Sequence, residues 1–185
     1  MSKVKPVVFL HSKRLYLRPP EEADLPLFVR WINDPEVRLY LGRTMPVDLI
    51  KERKWFEELS ANRQDVVLVI VIQEGDRAIG NIGLHQIDPV DHRGVAGVMI
   101  GESDYWKQGY AKEAGELTLA YAFNTLNLHR VSSFVISGNQ ASLALHRSLG
   151  FVEEGRGREH FFRDGIWHDA VFFGLLRSEW RERQG

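Results

Sequence analysis

Tyr105-Trp106-Lys107-Gln108-Gly109-Tyr110-Ala111-Lys112-Glu113-Ala114 is the stretch whose reading decides the fold of this chain. An apolar, β-type run precedes it, Val95-Ala96-Gly97-Val98-Met99-Ile100. From about Gly109 to Thr125, apolar or small residues such as Ala114, Leu117 and Tyr121 recur at helical spacing. A strand therefore enters a helix through a turn that contains glycine. The first N–H groups of a helix have no intrahelical acceptor, and together with the helix dipole they suit a phosphate or pyrophosphate. Small residues at Gly109 and Ala111 would let such a ligand approach the backbone. Most strand-to-helix turns of this kind bind nothing, so the assignment depends on the rest of the chain.

Upstream, Val66-Val67-Leu68-Val69-Ile70-Val71-Ile72 is almost wholly β-branched and apolar, as in a strand covered on both faces. Glu74-Gly75-Asp76 turns it into a strand from Ala78 to Ile87, and Asp88-Pro89-Val90-Asp91 separates that from the strand at Gly94 to Ile100. These three strands are expected to form an antiparallel meander. Earlier still, Leu15-Tyr16-Leu17-Arg18 alternates as a strand and Pro19-Pro20 stops it. Acidic residues at Glu21, Glu22 and Asp24 suit the first turn of a helix carrying Leu25, Phe28, Val29 and Ile32 on one face and ended by Asn33-Asp34-Pro35. Arg38 to Met45 reads as loop. Pro46 to Ser60 reads as a second helix, with Ile50, Trp55 and Leu59 available for packing.

Downstream, Arg130 to Ser137 is a strand, and Asn139-Gln140-Ala141-Ser142 opens a helix that runs to Leu149 and is closed by Gly150. Phe151 to Glu154 and Arg158 to Phe162 read as a strand broken by a turn at Gly155-Arg156-Gly157. Asp164-Gly165 is a hairpin turn, and Ile166 to Leu176 alternates as a final strand. The order β-α-α-β-β-β-α-β-α-β-β predicts an α/β chain of the mixed kind, with helices on the faces of a mixed twisted sheet. With no repeat, linker or low-complexity tract, residues 1–185 are expected to form a single domain.

Composition narrows the function. Basic and acidic residues nearly balance, 24 against 25, which disfavours a nucleic-acid footprint or a polybasic membrane surface. No apolar run approaches the roughly 18 residues of a spanning helix. The apolar part of Met1 to Leu10 is too short for a signal peptide, so a cytoplasmic location is expected. Cysteine is absent, which excludes disulfides, thiolate metal sites and a cysteine nucleophile. His85, His92, His160 and His168 show no metal-ligand spacing, and no metal is expected. Gly155-Arg156-Gly157-Arg158 lacks the pattern of a phosphate-binding loop.

This layout resembles the GNAT superfamily of acyl-CoA-dependent N-acetyltransferases, most nearly its ribosomal-protein-alanine and spermidine branch. The resemblance covers the chain from Leu15-Tyr16-Leu17-Arg18 to Leu176 and rests on three pieces in order. Trp106-Lys107-Gln108-Gly109-Tyr110-Ala111 matches the family's cofactor turn, with Trp106 where Gln or Arg is usual. Asn139-Gln140-Ala141-Ser142 and Leu149-Gly150-Phe151 match its later helix, and Asp164-Gly165-Ile166-Trp167-His168-Asp169 its last hairpin. The resemblance implies a GNAT fold with a sheet of about seven strands, acetyl-CoA as co-substrate, a primary amine as acceptor and a possible homodimer. It implies that backbone amides at Gln108, Gly109, Tyr110, Ala111 and Lys112 hold the pyrophosphate. Pantetheine would pair with Val98, Met99 and Ile100, where the strand splays from its neighbour through a bulge compatible with Gly97. The amine would attack the thioester directly, with backbone N–H groups stabilising the oxyanion.

In many relatives a tyrosine protonates the departing thiolate, and His146 stands at that position. Ser142, one turn earlier on the same face, is an alternative donor that also borders the cofactor. Asn139 would bond the cofactor or simply cap its helix. Glu159 is the candidate base, with His160, Glu102 and a water relay as alternatives. The acidic pair of the spermidine enzymes is not evident, since the corresponding loop reads Arg43-Thr44-Met45. Trp31 and Trp55 fall on helices that border the acceptor pocket in the family. A non-catalytic acyl-CoA-binding module is the competing reading.

Overall fold

The computed structural model describes residues 7–42 and 44–184; Arg43, Gly185 and residues 1–6 lie outside the described residues. Two short strands, β1 (Leu10–His11) and β2 (Leu15–Arg18), lead into helices α1 (Leu25–Asn33), α2 (Pro35–Arg38) and α3 (Leu49–Ala61). The meander β3 (Val66–Ile72), β4 (Arg77–Asp88) and β5 (Arg93–Ile100) comes next, then α4 (Tyr110–Asn124), β6 (Arg130–Ile136) and α5 (Gln140–Ser148). The hairpin β7 (Val152–Arg163) and β8 (Ile166–Leu176) ends in α6 (Arg177–Glu182). The eight strands form one sheet in the order β1-β2-β3-β4-β5-β6-β8-β7. Every neighbouring pair is antiparallel except β5 and β6.

Alternation along β3 shows how the layers form. Leu68, Ile70 and Ile72 pack with Ala114 of α4 on one face. Val69 and Val71 pack with Leu25, Phe28 and Trp31 of α1 on the other. A third cluster joins α4 and α5 to β6 and β8 through Phe123, Val131, Val135, Leu143 and Phe173, so these two helices share one core.

The meander, the central helix and the last hairpin stand where the sequence places them. Four expectations need correction. The sheet has eight strands rather than about seven, because Leu10 and His11 pair with Leu17 and Tyr16 over a span too short to show a period. Asn33-Asp34-Pro35 ends the first helix as expected but at once starts another, unexpected one: Asp34 caps α2 by accepting from the amides of Glu36 and Val37, and Pro35 opens it. In α3 Ile50 is 83% exposed rather than packed, whereas Trp55 meets Phe28 edge-on at 6.0 Å. Residues 155–158 do not turn: β7 runs through them, with Gly155, Arg156 and Gly157 paired to Phe172, Val171 and Ala170, and absorbs its extra residues in two bulges against β8. A further helix, α6, puts Trp180 against Phe123 at 5.3 Å.

Candidate active site

The parallel ladder between β5 and β6 is short. It holds from Arg93 to Val95 against Arg130 to Ser132 and then stops. Beyond it β5 stays paired with β4 as far as Ile100, while β6 stays paired with β8 as far as Ile136. The two strands therefore part, leaving the β6-facing edge of residues 96–100 open. Val98 and Ile100 turn toward the α4 core and Met99 toward the α1 core. The bulge expected near Gly97 is not there. Gly97 pairs regularly with Gly83, and the irregularity lies on β4 between His85 and Asp88, around Gln86 with its φ of 51°.

A narrow apolar cleft opens beside this edge, between α4 and α5. Ala96, Gly97 and Val98 line one side, Ala111, Gly115 and Thr118 another, and Leu145, His146 and Leu149 the third. Below the end of β5 the chain makes a tight turn through Ser103–Tyr105, and Trp106 donates its indole N–H to the Ile100 carbonyl at 2.8 Å. Lys107 and Gly109 are left-handed, with φ of 59° and 84°. Gly109 is the cap residue of α4 and no side chain accepts from the helix's first amides. The amides of Tyr110, Ala111 and Lys112 thus begin a 15-residue helix without a side-chain cap, while Gln108, Gly109 and Lys112 are exposed. Such an end has the polarity and the donors for a diphosphate.

His146 is buried in α5 at 7% exposure, between Phe173 at 5.1 Å and Phe151 at 5.2 Å. Its Nδ1 lies 2.8 Å from the Ser142 carbonyl, an acceptor only, so the proton sits on Nδ1. Nε2, 2.8 Å from Ser133 Oγ, then accepts from that hydroxyl. Burial pushes the imidazole pKa below its usual value, and the Ser142 carbonyl offsets this only in part. Ser142 Oγ lies 3.5 Å from Nδ1, on the same face as expected, and the residue is half-buried. Asn139 caps α5, its Oδ1 accepting from the Ser142 amide at 3.0 Å.

Glu159 is exposed and left-handed at φ 48°, in the second bulge of β7. Its amide donates to Asp169 at 3.0 Å, and Asp169 is paired to Ser137 at the end of β6, so Glu159 stands near the open end of the splay. His160 is exposed against the rings of Phe161 and Phe172. Glu102 is not a surface residue. It is 8% exposed, and the Trp31 indole donates to it at 2.8 Å while Arg30 and Arg77 pair with it. Trp31 is itself buried, so both belong to packing between α1 and the end of β5.

Three features escape the sequence reading. Ser133 sits where the ladder ends and pairs with His146; a serine between Val131 and Val135 on an apolar strand face was its signal. Tyr40 and His168 close over Gly138, where an added Cβ would lie 2.9 Å from the imidazole and 3.5 Å from the phenol ring. Arg14 reaches the turn that enters α4 from before β2, with nothing in the sequence to announce it. Among the described residues, no group of three or more His, Asp or Glu could hold a metal ion.

The splayed mixed sheet with its open strand leading into an uncapped helix is accompanied by a match of residues 14–152 to the acetyltransferase (GNAT) domain model, and the chain belongs to that family. Acetyl-CoA is its co-substrate and transfer to an amine its reaction. The chain is 32% identical over 174 residues to an uncharacterized N-acetyltransferase, p20, of Bacillus licheniformis, covering 92% of this chain and 97% of that one. It is 35% identical over 101 residues, 55% of each chain, to YdaF of Bacillus subtilis (strain 168), provisionally named a ribosomal N-acetyltransferase. Spermidine N-acetyltransferase of Vibrio cholerae, solved with CoA and spermine, has the same fold, with a TM-score of 0.85 at 23% identity over 90% of this chain and 98% of that one.

Proposed function

We propose that residues 1–185 act as one domain that moves the acetyl group of acetyl-CoA to the α-amine of a protein N-terminus or to a small mono-amine. The observation that carries this reading is the open edge of β5 running directly into the uncapped start of α4. The pyrophosphate rests on the amides of Gln108 to Lys112, and pantetheine lies along Val98, Met99 and Ile100, where a backbone N–H polarises the thioester carbonyl. Asn139 borders the same groove by holding the start of α5.

The amine attacks the carbonyl carbon, and the C–S bond breaks as the new C–N bond forms. Glu159, directly or through one water, takes the proton the amine must lose. The thiolate needs only a hydrogen-bond donor. His146 has spent its N–H on the Ser142 carbonyl, so the Ser142 hydroxyl donates a hydrogen bond to the departing thiolate and keeps its proton, and His146 holds that serine in place.

The Vibrio cholerae relative is named for a polyamine and YdaF for a ribosomal substrate. In this chain Thr44-Met45 follows α2 with no acidic pair, and the open end of the splay carries Tyr40, Phe134 and His168. Aromatic walls, with Glu159 exposed beside them and Asp169 tied to the Glu159 amide, favour a single amine over a polycation. A cytoplasmic location and pairing of two copies complete the reading. No helix among the described residues is long and apolar enough to cross a membrane, and the exposed Phe134 and Phe172 offer an apolar face for a second copy.

A free-thiol assay tests the proposal, using acetyl-CoA with peptides beginning in Ala or Ser, amino sugars, aminoglycosides and polyamines. The chain has no cysteine and adds no thiol background. CoA release with peptides or mono-amines supports the reading, and preference for polyamines overturns the acceptor class. Silence across the panel, with acetyl-CoA binding intact, favours a module that binds the cofactor without turning it over.

A further inference from the structure

The strongest unassigned feature is the cationic side chain lodged at the cofactor turn. Arg14 lies between β1 and β2, yet its guanidinium spans the start of α4. Nε donates to Glu113 at 2.6 Å, one terminal nitrogen pairs with the same carboxylate at 2.6 Å, and the other donates to the Gln108 carbonyl at 3.0 Å. The group lies over the Tyr110 ring at 4.5 Å. A Cβ placed on Gly109 would meet its terminal nitrogen at 3.4 Å.

A guanidinium carries five N–H donors, and these contacts use three. The remaining two sit on a side chain that is 44% exposed, beside the residue that caps α4. Glu113 is much less exposed, at 16%, and takes further hydrogen bonds from Ser12 at 2.6 Å and from the Arg14 amide at 3.1 Å. Burial pushes its carboxyl up, but these donors and the Arg14 charge outweigh that and hold it below the usual carboxylate range. Glu113 therefore stays ionised and fixes the fork in one orientation. A fixed fork with spare donors matches phosphate oxygens in geometry as well as charge.

We propose that Arg14 is a cofactor ligand: it contacts the diphosphate of acetyl-CoA alongside the α4 amides, and Glu113 is its positioning residue. This rests on the assignment of that turn to the cofactor. The alternative is a latch that only ties the segment before β2 to α4, and the two make opposite predictions for Glu113. If Arg14 is a ligand, Arg14→Gln loses affinity, whereas Glu113→Gln keeps an acceptor oxygen that orients the fork and removes only the competing negative charge. If the contact is only a latch, either substitution breaks it equally.

The test is titration of acetyl-CoA into wild type, Arg14→Gln, Arg14→Lys and Glu113→Gln, each checked for folding by circular dichroism, in low salt and in high salt. Arg14→Gln should bind about 10- to 100-fold more weakly at low salt, as expected for loss of a charged hydrogen bond to phosphate. The gap should narrow at high salt, because exposed charges are screened. Arg14→Lys should fall between, and Glu113→Gln should bind as wild type or tighter. The inference is overturned if Glu113→Gln loses as much as Arg14→Gln, or if Arg14→Gln and Arg14→Lys both bind as wild type. Absence of acetyl-CoA binding by the wild-type protein would instead overturn the cofactor assignment itself.

Discussion

Gly101→Ala is a small substitution with a large expected effect. Gly101 follows the last residue of β5, and its amide and that of Glu102 both donate to the Ile79 carbonyl, at 2.8 and 3.1 Å. A Cβ at Gly101 would stand 2.1 Å from Cγ and 2.2 Å from Cδ2 of Trp31, so the ring or the strand end must move. The ring is poorly placed to move. It is 1% exposed, packs on Phe28 at 5.7 Å and donates its N–H to Glu102. Overpacking costs about 1–3 kcal/mol, and losing a hydrogen bond to a charged group about 1.5–3 kcal/mol. Together they amount to about 2.5–6 kcal/mol, or roughly 5–24 °C in melting midpoint for a chain of this size. Because the displaced segment carries the open edge of β5, acetyl-CoA affinity should fall as well. Thermal melts with and without acetyl-CoA measure both effects. A cycle with Trp31→Leu isolates the clash: once the indole is gone, adding Gly101→Ala should cost little. A Gly101→Ala protein melting within about 2 °C of wild type would refute the reasoning, since an effect that small is under 1 kcal/mol at this size.

Gly109→Val forces a β-branched residue into a left-handed conformation, φ 84°, at the cap of α4. The fold should survive while acetyl-CoA affinity is lost, and unchanged affinity in a folded variant would sink the cofactor assignment. For His146 the sign of the pH effect comes from burial. Its folded pKa is lowered, so the unfolded chain binds the extra proton as pH drops below its value of 6.5. The stability owed to a neutral His146 is complete above that pH and lost as pH falls through the folded value. The stability difference between wild type and the non-titrating His146→Gln should therefore shrink from pH 7.5 toward pH 5, and a constant difference in urea melts would refute the burial argument. In turnover, Ser142→Ala should lower the rate with little change in acetyl-CoA affinity. If His146→Ala slows the rate while Ser142→Ala does not, the roles assigned to the two residues are reversed.

What the sequence alone determined is what depends on near neighbours in the chain. The continuous β-branched run at Val66–Ile72, the alternation at Ile166–Leu176, the helix entered at Gly109, the Asn139 cap and the Asp164-Gly165 turn all rest on periodicity, propensity or a single φ, which operate within a few residues. The glycine-containing turn into α4 was legible for that reason. Tertiary structure decided what depends on which segments meet. The groove exists because the ladder between β5 and β6 ends at Val95, although residues 96–100 still look like strand. The turn expected at Gly155 is overridden by a partner strand that keeps those residues paired. His146 looks like a polar helix residue but is enclosed by Phe173 and Phe151, which arrive from other strands and loops. Glu102 is taken inward by two arginines and an indole from α1 and β4. Arg14 meets Glu113 across 99 residues of sequence. Local hydrogen bonding and backbone preference are written into each short segment. Pairing register, burial and charge compensation are properties of the assembled layers, and they set the chemistry of this site.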